Sequence, residues 1–176
     1  PVTCNKPTAT SNAGAQTTNY TYDPVHGGVT LVQGPPDQFG QRAETRIAYA
    51  ARVAKIMTPS NVLVDQPTSI TVPTNIRTCR TQAQCAGTAD ERNTDIAYDA
   101  TTSPNLNPVT ITARAGDNTL AMSTSYTYSV LGQPATIDGP LPGSDDTAVY
   151  RYNVGGQVTG IISPDPDGNG PLPRLA

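Results

Sequence analysis

Chemistry in this sequence would have to start from three cysteines, a single histidine and a few short runs of carboxylates. His26 is followed by Gly27-Gly28, which places it in a turn, and a solvated turn imidazole is a poor general base. With no other histidine, neither a Ser-His-Asp nor a Cys-His arrangement has its base. Glycoside hydrolysis needs two carboxyl groups facing each other across the bond. Asp90-Glu91 and Asp145-Asp146 are instead sequence neighbours in polar stretches, the composition of surface turns. The expectation is a protein without a catalytic site and without a cofactor.

Cys79 and Cys85 are too far apart for a redox Cys-x-x-Cys, and the chain lacks the four ligands of a structural zinc site. At a hairpin tip their Cα atoms fall within the roughly 4.4–6.8 Å that a disulfide spans. A disulfide is the expectation, against two inert thiols, and it implies an oxidising, extracellular setting. Cys4 is then left over, to pair outside this stretch or with another chain. Asp165-Pro166-Asp167-Gly168-Asn169-Gly170 matches the first half of a calcium loop, with oxygen ligands at Asp165, Asp167 and Asn169 and a glycine at position six. Position twelve, however, is Ala176 rather than a bidentate Glu. An Asx-type turn is therefore expected there, and no metal is assigned.

The elements that would carry these groups follow from composition. Fifteen glycines and 17 prolines, with abundant threonine, disfavour long helices. A net charge of −3 without a Lys/Arg cluster leaves no footprint for nucleic acid, and no apolar run approaches the roughly 20 residues of a membrane-spanning helix. All eight tyrosines fall in five segments: Tyr20-Thr21-Tyr22, Ile47-Ala48-Tyr49, Ile96-Ala97-Tyr98, Tyr126-Thr127-Tyr128 and Tyr150-Arg151-Tyr152. A large apolar residue two positions before a Tyr shares its face in a strand but not in a helix. The five segments therefore read as copies of one half-buried strand.

After Tyr22, Tyr128 and Tyr152 come a Gly-containing turn, a second strand and a Pro-marked exit: Gly28-Val29-Thr30-Leu31, Gly132-Gln133-Pro134-Ala135-Thr136-Ile137-Asp138-Gly139-Pro140 and Gly156-Gln157-Val158-Thr159 onward to Pro164. Glycine supplies the positive φ of the turn and proline ends the ladder. The repeating unit is a β-hairpin. The interval between Tyr49 and Tyr98 is nearly twice the others, which implies an insertion or a degenerate extra copy. Gln41 to Met57 has helical propensity, but Ile47-Ala48-Tyr49 lies in repeat register and favours a strand. Within the last copies, Leu120, Met122, Thr124, Tyr126 and Tyr128 are expected on one buried face, with Ser125 and Thr127 on the other.

Tyr-Asp after an apolar strand, a Gly turn, Val-Thr and a Pro-rich exit resembles the YD repeat of bacterial Rhs (rearrangement hotspot) proteins, relatives of toxin-complex shells and teneurins. Asp37-Gln38-Phe39-Gly40-Gln41-Arg42 resembles the half-repeat turn between hairpins, and the Tyr126 to Pro173 stretch is the most specific match. Only Tyr22 and Tyr98 keep the following Asp. The resemblance implies an all-β fold, a repetitive strip of antiparallel hairpins forming part of a spiral shell or fibre. It also implies an organisation of N-terminal extension (1–16), hairpin repeats (17–173) with an insertion around 58–93, and a short tail (174–176). The implied function is a structural segment of a secreted or cell-envelope protein that encloses, displays or adheres. Its partners would be further YD repeats of the same or neighbouring chains, including copies of itself. The alternative is a module whose exposed tyrosines stack on surface glycans.

Overall fold

The computed structural model describes residues 16–60, 62–81, 84–99 and 106–165. Among them there is no helix. Ten strands follow in order: β1 (Asn19–Tyr22), β2 (Val29–Pro36), β3 (Arg42–Met57), β4 (Leu63–Cys79), β5 (Glu91–Tyr98), β6 (Pro108–Ala115), β7 (Ala121–Tyr128), β8 (Pro134–Asp138), β9 (Ala148–Tyr152) and β10 (Val158–Ile162). They form one antiparallel sheet whose spatial order equals the chain order, open at β1 and β10. The fold is all-β, a strip of consecutive hairpins. The helix-prone stretch from Gln41 is β3: pairing along its length to β4 outweighs propensity, which is a weak prior.

The doubled interval between Tyr49 and Tyr98 is not an extra copy. β3 and β4 run on past the Tyr49–Pro73 pair as far as Met57 and Leu63, so the additional residues lengthen one hairpin into a projecting arm. Asp165 ends the described part of the calcium-like loop, and its partners Asp167 and Asn169, like Cys4, lie outside the described residues.

Successive residues of a strand alternate faces, and the pairings put Tyr20, Tyr22, Ile47, Tyr49, Ile96, Tyr98, Tyr126, Tyr128, Tyr150 and Tyr152 on one face of the strip. That face is not a buried one. Among the described residues the single sheet has no second layer, so both sides are wet and the only buried hydrophobic side chains are Cys79 and Cys85. Leu120 and Met122, expected beneath Tyr126 and Tyr128, are 73% and 60% exposed. The two tyrosines are half-buried. Tyr20 and Tyr22, at the open β1 end, are more than half exposed.

Candidate functional site

The tyrosines line one margin of the strip, and each closes its hairpin at a bulge. Opposite Thr21/Tyr22, Ala48/Tyr49, Ala97/Tyr98, Thr127/Tyr128 and Arg151/Tyr152, the partner strand skips one residue, so that Tyr22, Tyr49, Tyr98, Tyr128 and Tyr152 face Val29, Pro73, Pro108, Pro134 and Val158. Two residues against one defines a bulge, and a bulge tolerates proline because its N–H is not needed by the ladder. The carbonyl at this position is then used by the next hairpin. The hydroxyl of Tyr49 donates to the Val29 carbonyl at 2.9 Å, Tyr98 to Pro73 at 3.0 Å, Tyr128 to Pro108 at 2.6 Å and Tyr152 to Pro134 at 2.8 Å. Every hairpin is thereby tied to its predecessor by one phenol. Burial pushes the Tyr98 hydroxyl above the ordinary 10.0, with the Arg52 guanidinium opposing, and burial likewise raises Tyr128. Both remain donors at neutral pH. Arg52 lies 6.0 Å over the Tyr98 ring, within cation–π reach.

A second set of bonds runs the opposite way. Asn107 donates its side-chain amide to the carbonyl of Gly132, and Gln133 donates to Gly156. Each is the residue just before a bulge proline, and each acceptor is the positive-φ glycine of the next turn. The residue after the tyrosine shapes that turn. Asp23 accepts the backbone N–H groups of Val25 and His26, Ser129 those of Leu131 and Gln133, and Asn153 those of Gly155 and Gln157. Asp, Ser and Asn all accept in this way, so Ser129 and Asn153 do in their turns what Asp23 does in the first. Ala50 needs no such group, because β3 continues through it. The turn between β2 and β3 copies the device, with Asp37 accepting from Phe39 and Gln41.

The opposite margin carries the chemistry-bearing side chains. Cys79 and Cys85 form a disulfide, with Cα atoms 5.6 Å apart, at the β4–β5 tip. A loop this short contributes about 2 kcal/mol on the chain-entropy account. Beside it lies an open cleft lined by Glu44, Arg46, Arg77, Gln84 and Glu91. Glu44 and Glu91 are each 5% exposed, yet both are spoken for. Glu44 accepts from the Gln33 amide at 2.8 Å and the Arg46 guanidinium at 2.7 Å, and Glu91 accepts from the Gly87 N–H at 2.7 Å with Arg77 at 3.9 Å. Farther along the same face Asp95 accepts from Asn75 and Arg114. Among the described residues no group of His, Cys, Asp and Glu is arranged to hold a metal ion. His26 packs on the Tyr49 ring with centroids 4.7 Å apart, and its Nδ1 accepts the Gly28 N–H.

The sequence reading missed the burial of Glu44, Glu91 and Asn93. Its available signal was polar residues at every second position, Arg42, Glu44 and Arg46 in β3 and Glu91, Asn93 and Asp95 in β5, which mark one polar face. Burial pushes the Glu44 carboxyl up, but the bonds from Gln33 and Arg46 outweigh it and hold the group below its ordinary 4.5. Stability from a depressed carboxyl is fully present above the unfolded value and lost as pH falls through the folded one. Urea midpoints should therefore stay level from about pH 7 to 5 and fall below 4.5. Glu44→Gln should flatten part of that fall; an acid limb identical to the parent's would remove Glu44 as a cause.

The chain matches no family model, and no curated protein matches it. Among the described residues no helix is long and apolar enough to cross a membrane.

Proposed function

We propose that the chain is a structural YD-repeat segment of a secreted or cell-envelope bacterial protein of the Rhs kind, whose hairpin strip forms part of a shell or fibre. The observation that carries this is the tyrosine ladder: four hydroxyls are spent on joining one hairpin to the next. A side chain holding its own scaffold is not free to choose a ligand. The Cys79–Cys85 disulfide supports an oxidising compartment, and the cleft carboxylates, each holding one amide donor and paired with one arginine, suit a framework without catalysis.

One observation favours a second reading, surface-glycan binding: Tyr20 and Tyr22 are exposed and stacked, with centroids 6.5 Å apart. Aromatic faces of this sort stack on sugar rings. Glycan-array and polysaccharide-retention measurements discriminate the two. The structural role predicts background retention, unchanged by Tyr20→Ala. Saturable retention abolished by Tyr20→Ala would transfer the function to binding.

A further inference from the structure

The two open ends of the strip are complementary in the groups that join hairpins inside it. At the β10 end, Val158 faces Tyr152 across the bulge, the position from which Val29, Pro73, Pro108 and Pro134 offer their carbonyls. No described side chain donates to it. Gln157 occupies the place of Asn107 and Gln133, and its amide nitrogen meets no acceptor among the described residues. At the β1 end, Tyr22 is the one repeat tyrosine of its position whose hydroxyl has no described acceptor. It is 57% exposed, whereas Tyr49, Tyr98, Tyr128 and Tyr152 are half-buried. Gly27 is the positive-φ glycine of its turn, the counterpart of Gly132 and Gly156. One end thus holds a free acceptor and a free amide donor, and the other a free phenol donor and a free glycine carbonyl.

The register between hairpins is also constant. Leu31 faces Arg46, Asn75 faces Asp95, Thr110 faces Ser125 and Thr136 faces Val149. In every case the first residue lies two after the carbonyl acceptor, and the second three before the donating tyrosine. Resting on the structural reading above, we propose that a second copy of this chain docks head to tail, its β1 against β10, with Tyr22 donating to the Val158 carbonyl and Gln157 to Gly27. The register rule then sets Asn19 of one copy opposite Gly160 of the other. Docking would cover Tyr20, Tyr22, Val158 and Ile161, all about half exposed or more. Because the contact joins two different surfaces, it propagates as an open filament unless the rotation closes.

The register makes the test specific. Chains carrying Asn19→Cys are mixed with chains carrying Gly160→Cys, both in a Cys4→Ser background, oxidised, and their disulfides mapped by mass spectrometry. A Cβ at Gly160 meets nothing within 4 Å, so the substitution fits. Directly opposed residues have Cβ atoms about 4.5–5.5 Å apart, close enough to bond with little movement. The expected product is the 19–160 link, with yield rising with concentration, while Thr18→Cys with Gly160→Cys gives several-fold less. Sedimentation of the Tyr22→Phe chain should show self-association weakened by roughly fivefold, the worth of one hydrogen bond. Absence of the 19–160 link in folded chains, equal yield with Thr18→Cys, or predominance of symmetric 19–19 and 160–160 links would overturn the proposal. Such failure would leave the structural role standing, since retention of glycans is measured separately.

Discussion

Truncating Tyr128 to Ala should cost about 3 kcal/mol, at the low end for an aromatic because the ring is half-buried. Tyr128→Phe isolates the ladder. It keeps the ring and removes the hydroxyl that donates to the Pro108 carbonyl, which should cost about 1 kcal/mol. The same pair of losses is expected at Tyr152, whose hydroxyl reaches Pro134. Neighbours on the opposite face set the baseline. Arg151→Ala, at an exposed position, should stay within about 0.5 kcal/mol. Thr127 is a less neutral control than its exposure implies, because its hydroxyl bonds Thr136 at 2.6 Å across the strands. Thr127→Ala should therefore cost about 0.5–1 kcal/mol. Urea denaturation of the six variants beside the parent checks the ordering. Tyr128→Phe and Tyr152→Phe with parental midpoints would mean that the phenols join the hairpins in geometry but not in energy.

The second large effect is expected at Gly116, where β6 leaves the sheet. Its N–H donates to the Glu91 carbonyl at 2.9 Å, and the residue is buried. A Cβ there would overlap the Glu91 side chain and come within 2.8 Å of the Thr88 carbonyl. Moving Glu91 would also disturb its bond from Gly87. Gly116→Ala should cost about 2–3 kcal/mol, as for overpacking a tight site. Gly160→Ala is the control: nothing lies within 4 Å of its Cβ, and the loss should be near zero. Thermal melts of both chains separate local crowding from a general effect of adding methyl groups to strands. Equal melting temperatures would show that Glu91 and its loop yield freely.

The tyrosine period and the glycine turns were legible in the sequence because both are local signals. A spacing of two fixes a common face, and a positive φ demands glycine. The use made of the tyrosines was not legible. Their acceptors are backbone carbonyls of Val29, Pro73, Pro108 and Pro134, about 20 residues away, and only the inter-strand register selects them. The expected burial failed at Leu120 and Met122 for a different reason. Alternation says which residues share a face, not whether another layer covers it. The pairing of Tyr with Asp, Ser or Asn was readable as degeneracy, yet the turns show one function served by three side chains.

Because spatial order equals chain order, every strand finds its partner next door in sequence. Contacts of this kind close small loops, and folding speed rises as the sequence distance between partners falls. The strip has no distant pair that must meet before the rest can form. Assembly can begin at any hairpin, with β3 and β4, the longest strands at 16 and 17 residues, as the natural seed, and spread outward one strand at a time. A chain emerging from the ribosome could then fold strand by strand in the order in which it appears, without β10 in place to stabilise β1.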